Sequence, residues 1–516
     1  MATPASKPAM RPTLNLTGVT VNAMALIAPG AFLWITYQVQ AAQTFPGSSA
    51  TTALDIWPGI IFALILAFLT AISYSQLARI YPEAGTGSCY YFAEKAFVDK
   101  EEKSHRRWAR LAKIVTGWAA HLFYWVYPGV MVAFMAILIT YIASAFGLTI
   151  PTVGQIAIAV VFAILVGLIA YRGVNGSTLT ALMINVIQLT ALVGFSILAI
   201  AYRLINPGHV SFTFPSVSAV LIPHSLPGTL FQATIAILIL VGFESCTAFG
   251  AEAINPKRDI PRAVILALVI QGLVAYLFEY FAANFAISDA LTGKAADGSV
   301  IKGFDAAAAS SAPIGDLIRL IGDSMLGGIG FGLMIVIALT VALAILGTTL
   351  SAMNTGVRIT FAMAQDAEMP EPLGMLHGEF ATPHVAVWVM VAVSAIIGAI
   401  GTLSVESLTA VTLASNLGTF VLYALTCVWT LVAFSGRPDH NFLRHKIVPI
   451  LGLLANLAML VTIFWMGFLG GGASQVESIG ALVIAAIWAV LSAAYVVVRS
   501  RQTGRPIIMV PADEAL

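Results

Sequence analysis

The sequence predicts an all-α membrane protein of twelve transmembrane helices, in which the first and the sixth are broken near their middles. Three observations carry that prediction. The 516 residues are 59% hydrophobic and only 9% charged, with a mean hydropathy of +0.93, a composition suited to lipid rather than to a water-soluble core. Apolar runs of roughly 20 residues, the length that crosses about 30 Å of hydrocarbon, recur along the whole chain. Pro or Gly falls at matching depth in two runs of opposite direction, at Pro29 with Gly30 and at Gly242.

In order, the runs lie at 17–42, 56–79, 113–145, 152–170, 178–202, 229–251, 261–287, 326–356, 384–402, 405–435, 446–469 and 476–498. The third, eighth and tenth are longer than a span needs and are expected to tilt or to continue as helix beyond the bilayer. The segment 1–16 is short and basic, without the apolar run and cleavage site of a secretion signal, so the first span is expected to be retained. Only 4 of the 25 Lys and Arg residues (Arg203, Lys294, Lys302 and Arg319) fall in odd-numbered loops. Because basic residues collect on the cytoplasmic side, both termini are expected there, in the cell inner membrane. The cluster Lys100, Lys103, Arg106, Arg107, Arg110 and Lys113 ahead of span 3 reads as a solvated stretch beside anionic headgroups.

Two loops stand apart. Residues 81–97 place Pro82, Gly85 and Gly87 before an amphipathic piece too short to span, the pattern of a re-entrant or interfacial segment. Residues 288–325 are polar, carry a low-complexity AAAASSA tract and read as a mobile external cover. The net charge of +1 gives no reason to expect a nucleic-acid partner. Cys89, Cys246 and Cys427 lack metal-ligand spacing and read as reduced thiols, and no cofactor is implied.

The broken spans are where binding chemistry is expected. A second half of span 1 beginning at Pro29 leaves the amides of Gly30, Ala31 and Phe32 without helical acceptors, a ready site for a carboxylate. Ala28 lies on the break itself. The carbonyl ends near Ile27 in span 1 and Ile239 to Val241 in span 6 can accept from an ammonium group, with Leu238 and Gly242 alongside. Paired breaks in spans of opposite direction, five spans apart, are the pattern of an inverted-repeat transporter with a central site. Two carboxylates, Glu244 and Glu279, lie inside spans, where a charge is costly and usually functional. Trp125 in span 3 and Asn416 in span 10 are candidates to cover a substrate, with Tyr127 near the middle of span 3. His121 can titrate near neutrality but more often bonds a neighbouring helix.

At GFESCTAFGAEAINPKRDIPRA, residues 242–263, the chain closely resembles the amino acid, polyamine and organocation (APC) transporter superfamily. The resemblance continues through YPEAGTGSCYY and through RITFAMAQDAEMP, similar to the family's RxxxAxARDGxxP signature, and covers spans 1 to 10. It implies a LeuT-type fold: a first inverted repeat over 17–202, an external connection over 203–228, a second repeat over 229–435, two peripheral spans over 436–500 and a tail over 501–516. It implies a secondary transporter of amino acids or related amines, with Glu244 as the first coupling candidate. The departures are informative. Gln188 stands where many relatives carry a span 5 Lys, which leaves proton coupling through that Lys unsupported. The RDG triplet becomes Gln365, Asp366 and Ala367, which weakens the expectation of a charged latch there.

With that cation missing, sodium becomes a possible coupling ion. Span 8 offers the Ile345 carbonyl and the Thr348 and Thr349 hydroxyls on one helix face, although Thr hydroxyls commonly satisfy their own helix. The alternatives left open are a polyamine or organic-cation carrier using Glu244 and Glu279, and a sodium-coupled amino acid symporter. A membrane enzyme is disfavoured by scattered histidines, and a channel by broken spans in place of a filter ring. The partners expected are the small-molecule substrate, a proton or sodium, and the bilayer.

Overall fold

The computed structural model describes residues 13–504 except 28, 46, 83–87, 99, 101–106, 173–177, 251, 296 and 381. The side chains of 29, 31, 32, 107, 178–180 and 503 also lie outside the description. The first predicted span is two helices, α1 (Leu16–Ile27) and α2 (Pro29–Ala41). Next come α3 (Ile56–Ile80), the short α4 (Cys89–Val98), α5 (Arg107–Ala145), α6 (Thr152–Tyr171), α7 (Thr178–Ile205) and α8 (Val217–Leu221). The sixth span is α9 (Leu226–Ala236) followed by 3-10 segments Ile237–Ile239 and Phe243–Phe249. The seventh is α10 (Pro256–Leu268), a π-helical segment Val269–Tyr276, and α11 (Leu277–Ala286).

The chain then forms a β1 (Thr292–Lys294) and β2 (Val300–Lys302) hairpin, α12 (Gly303–Ala309), α13 (Pro313–Met325) and α14 (Gly330–Gln365). It finishes with α15 (His384–Gly401), α16 (Val405–Phe434), α17 (Val448–Trp465) and α18 (Gly472–Thr503). Among the described residues eleven helical stretches are long and apolar enough to cross a membrane, and the protein is an all-α, multi-pass membrane protein. The expected first span is absent from that count because its break divides it into pieces of 12 and 13 residues.

Where each helix sits follows from how much of its circumference is apolar. α5 packs against α4, α14, α15 and α16 and is buried nearly all round, whereas α18 is exposed along most of its length, the surface a lipid solvent covers. We call the end at which α5 begins and α14 finishes the lower end, and the opposite end the upper.

Two expectations are corrected. The loop 288–325 is a folded cap rather than a mobile cover. Ile314, Leu317, Ile318 and Ile321 recur at helical spacing and bury one face of α13, which packs on α2 and α14. Gly315 lets that helix close in, since a Cβ there would stand 2.6 Å from the Tyr141 hydroxyl, and Asp316 accepts from that hydroxyl at 2.9 Å. At the lower end, Arg110 and Lys113 are buried rather than solvated, at 3% and 1% exposure. Lys103, Arg106, Gly85, Gly87 and Ala28 lie outside the described residues.

Arg110 and Lys113 meet the segment that sequence reading discounted. Lys113 pairs with Asp366 at 2.8 Å and Glu94 at 3.1 Å, Arg110 with Glu368 at 3.0 Å, and the Tyr90 hydroxyl donates to Glu368 at 2.5 Å and Asp366 at 3.0 Å. A charged cluster forms because only the first position of the RDG-like triplet lost its charge, while span 3 supplies the cations. Ala367, within this turn, adopts φ 56°, a left-handed conformation that costs a residue with a Cβ about 1 kcal/mol or more. Ala367→Gly is therefore expected to stabilise the protein by about 1 kcal/mol, read as a higher melting temperature in detergent.

Candidate functional site

The two interruptions touch. The sixth span leaves helical geometry after Ile239 and turns at Gly242, whose φ is +121°. A Cβ at 242 would also stand 2.9 Å from the Leu26 Cβ and 3.1 Å from the Ile27 amide nitrogen, so the contact requires glycine twice over. Beyond the turn, Gly242 O accepts from the amide and hydroxyl of Ser245. Leu238, Ile239 and Val241 are fully buried beside it.

A helix that stops in mid-membrane leaves its last four carbonyls without donors. Here each has one. Gln271 donates to Met24 O at 3.3 Å, Thr348 to Ala25 O at 3.1 Å, Tyr127 to Leu26 O at 3.3 Å and Tyr276 to Ile27 O at 3.0 Å. The π-helical winding of span 7, a form that recurs at functional sites, brings Gln271 and Tyr276 to the same broken end. Gln271 also donates to Asn185 at 3.0 Å, whose amide reaches Val21 O at 3.3 Å, so spans 5 and 7 grip α1.

Glu244 sits at 1% exposure with three donors on its carboxylate: Tyr124 of α5 at 3.0 Å, Tyr423 of α16 at 2.8 Å and the Gly242 amide at 3.0 Å. It thus fastens the sixth-span turn to two other spans. Asn416, two turns before Tyr423 on α16, donates to Thr234 O at 2.7 Å. Gln188 lies against the other break: a Cβ at Gly30 would stand 3.7 Å from its Cγ, and its amide has no hydrogen-bond partner among the described residues. Thr348 and Thr349 are both donors already, the latter to Ile345 O at 2.6 Å, so the three sodium candidates are engaged with protein atoms between α1 and α14.

Two candidates stand elsewhere. Trp125 donates to Thr360 at 3.2 Å and stacks near Trp488 and His121, on the α18 side of α5, so it does not join the breaks. Residues three apart share a helix face, and Tyr124 and Tyr127 occupy the face that Trp125 does not. Glu279 is fully buried on α11, about one turn above Tyr276, and neither of its carboxylate oxygens has a partner among the described residues. Tyr124 and Tyr423 escaped sequence reading. The signals available were the Tyr124–Tyr127 spacing and the seven-residue spacing from Asn416 to Tyr423.

At the lower end the broken spans are overlaid by chain. The amides of Thr13 and Leu14 donate to Glu252 O at 2.9 Å, Ile254 donates back to Leu14 O, and Arg358 pairs with Glu252 at 3.1 Å. Ser88, ahead of α4, hydrogen-bonds Thr247. Burial pushes the Glu368 carboxyl up to about 7, against the opposing pull of Arg110 and Lys113.

The sequence profile of the family described as amino acid permease matches residues 13–492. The chain belongs to the amino acid permease family. The permease is 26% identical over 377 residues to a branched-chain amino acid permease of Lactococcus lactis, a match covering 69% of this chain and 71% of the relative. It is 23% identical to a methylthioribose transporter of Bacillus subtilis, over 79% and 81% of the two chains. A low-affinity putrescine importer of Escherichia coli matches at 24% over 54% of each. The permease is accordingly a transporter and not an enzyme, and the APC resemblance read from the span 6 motif holds.

Proposed function

We propose that the permease carries a neutral amino acid with an aliphatic side chain across the cytoplasmic membrane by alternating access, coupled to protons or to substrate exchange. The observation that carries this reading is how the polar groups at the breaks are engaged. Glu244 is held by three donors, and the buried residues at the Gly242 turn and the end of α1 are aliphatic: Leu26, Ile27, Leu238, Ile239 and Val241. A diamine would draw its second ammonium to a carboxylate at the breaks, and the Glu244 carboxylate is already tied by three donors that hold the sixth-span turn. An α-amino acid needs orphan amides for its carboxylate, which the first turn of α2 supplies at Gly30, Ala31 and Phe32. It also needs a carbonyl lone pair for its ammonium, and each capped carbonyl keeps one.

The resemblance to the Lactococcus permease points the same way. In this reading the twelve spans form two inverted five-span repeats with two peripheral spans, both termini are cytoplasmic, and spans 1, 3, 6, 8 and 10 work around the central site. Protons or exchange then supply the coupling, and Thr348 and Thr349 serve as hydrogen bonds of α14 to Ala25 O and Ile345 O. A polyamine carrier is the second reading, favoured by the unpartnered Glu279 and by the match to the putrescine importer.

The test is thermal unfolding of purified protein with leucine, isoleucine, valine or putrescine, with and without sodium, followed by uptake in proteoliposomes. Leucine-type ligands at about 100 times Kd are expected to stabilise by about 2.7 kcal/mol without sodium. Stabilisation by putrescine alone would overturn the amino-acid reading, and a sodium requirement would reinstate the span 8 site.

A further inference from the structure

Among the described residues, Glu279 is the one membrane-buried carboxyl of the central helices with no hydrogen-bond partner. Glu244 has three donors; Glu279, at 0% exposure, has none among the described residues. No donor or cation among the described residues is placed to hold a negative charge on Glu279, whereas a neutral carboxyl is far cheaper to bury. Its surroundings form a file of polar groups. Above it, the Tyr37 hydroxyl donates to Asn284 at 2.6 Å near the upper end of span 7. The Tyr37 ring lies 5.8 Å from that of Tyr280, and the Tyr280 ring 6.5 Å from that of Tyr276, whose hydroxyl reaches Ile27 O at the break. The Tyr280 hydroxyl and the Asn284 amide nitrogen are, like Glu279, without partners among the described residues.

We infer that Glu279 is the proton-binding group of the permease, served from the upper side by the Tyr37, Asn284 and Tyr280 file and linked to the substrate site by Tyr276. This rests on the reading of the chain as a carrier with a central site at the breaks. The step is a proton transfer: a hydronium ion at the upper mouth breaks one O–H bond and is left as water, an O–H bond forms on the Glu279 carboxylate, and that bond breaks when the proton passes to a water on the lower side, leaving the carboxylate and a new hydronium ion. When the acid ionises, it becomes the stronger acceptor for the neighbouring Tyr276 hydroxyl, because hydrogen bonds to a charged group are roughly twice as strong as neutral ones. Tyr276 then leaves Ile27 O and releases the end of α1, so loss of the proton loosens the lower half of span 1. Proton and substrate thereby act on the same carbonyl.

Other ionisable groups on the elements packed against α11 are engaged or remote. On α7, Arg203 donates to Phe285 O and Phe214 O beside Tyr202, and in the turn just before α3, Asp55 accepts from Ser225 and lies by His224. Lower on α3, Tyr74 packs on Phe243 and Tyr423, and Arg79 pairs with Asp439.

The experiment is leucine transport in proteoliposomes with a trapped pH dye. Wild-type protein is expected to acidify the lumen as substrate enters and, with about 2 pH units imposed, to accumulate substrate by up to about 100-fold for one proton per substrate. Glu279→Gln, which cannot ionise and so cannot free Tyr276 from Ile27 O, is expected to lose its proton flux and to bring accumulation to unity, with counterflow slowed but still present. Glu279→Asp should restore the flux. A Glu279→Gln protein that still drives proton flux, or wild-type counterflow without proton flux, overturns the inference, whereas wild-type protein with no counterflow overturns the transport reading instead. A variant that folds without turning over is read by infrared spectroscopy. The wild-type carboxylic-acid C=O band must be missing in Glu279→Gln, and its persistence is equally decisive against the assignment.

Discussion

Glu244→Ala is expected to abolish transport and to lower the melting temperature, whereas Glu244→Gln should keep the fold and the wild-type pH profile. The first outcome follows from what the carboxylate holds. Removing it strands the hydroxyls of Tyr124 and Tyr423 and the Gly242 amide in a space closed to water. Each stranded donor costs about 1–3 kcal/mol, so the total is several kcal/mol and falls on the turn that aligns the two breaks. Glutamine keeps one carbonyl oxygen for the Gly242 amide. Its NH2 faces hydroxyls that can rotate to accept, because a tyrosine O–H is donor and acceptor at once. The cost should be about 1 kcal/mol. The measurements are thermal unfolding in detergent and uptake across pH 5 to 8. Wild-type melting and uptake in the alanine variant would show that the brace is dispensable, and a shifted pH profile in the glutamine variant would move the proton from Glu279 to Glu244.

The parts of this molecule that sequence could disclose are those set by local physics. Apolar length fixes where a span lies, and Pro29, Gly30 and Gly242 mark the breaks because each acts on its own stretch of backbone. What stayed hidden was direction around a helix. α5 is apolar around almost its whole circumference, so nothing in its composition distinguishes the face of Tyr124 and Tyr127, which meets the breaks, from that of Trp125, which meets Trp488. Pairing over long separations was equally hidden. Lys113 reads as an interfacial charge until Asp366, 253 residues away in the chain, is brought to 2.8 Å. The polar loop 288–325 hid its fold for a related reason: the four-residue stripe on α13 is too short to dominate its composition. Glu279 could be noticed as an intramembrane acid, yet its lack of a donor among the described residues is a property of the packed structure alone.

The lower-end cluster leads to the other large effect. Arg110→Ala leaves Glu368 buried at 1% exposure without the guanidinium 3.0 Å away, and breaking a buried pair from one side costs about 3–5 kcal/mol. Adding Glu368→Gln removes the charge that Arg110 was compensating and is expected to recover a large part of that loss, so the two substitutions should be strongly non-additive. Additive losses would mean that Arg110 acts through packing and through its bond to Asp366 O at 3.1 Å. The pair also sets a pH dependence. Burial holds the folded-state Glu368 carboxyl at about 7, above the ordinary value of 4.5, so the folded state binds this proton more tightly than the unfolded chain does. Its contribution to stability is full below 4.5 and is lost as pH rises through 7. Melting temperature should therefore rise as pH falls from 7 toward 5, and Glu368→Gln should remove that rise. The cluster joins α4, α5 and the turn after α14, and the Arg358–Glu252 pair ties α14 to the overlay on the broken spans. A proton on Glu279, separately, keeps Tyr276 on Ile27 O. The two groups are separable, because the dependence of melting temperature on Glu368 should survive in the Glu279→Gln protein.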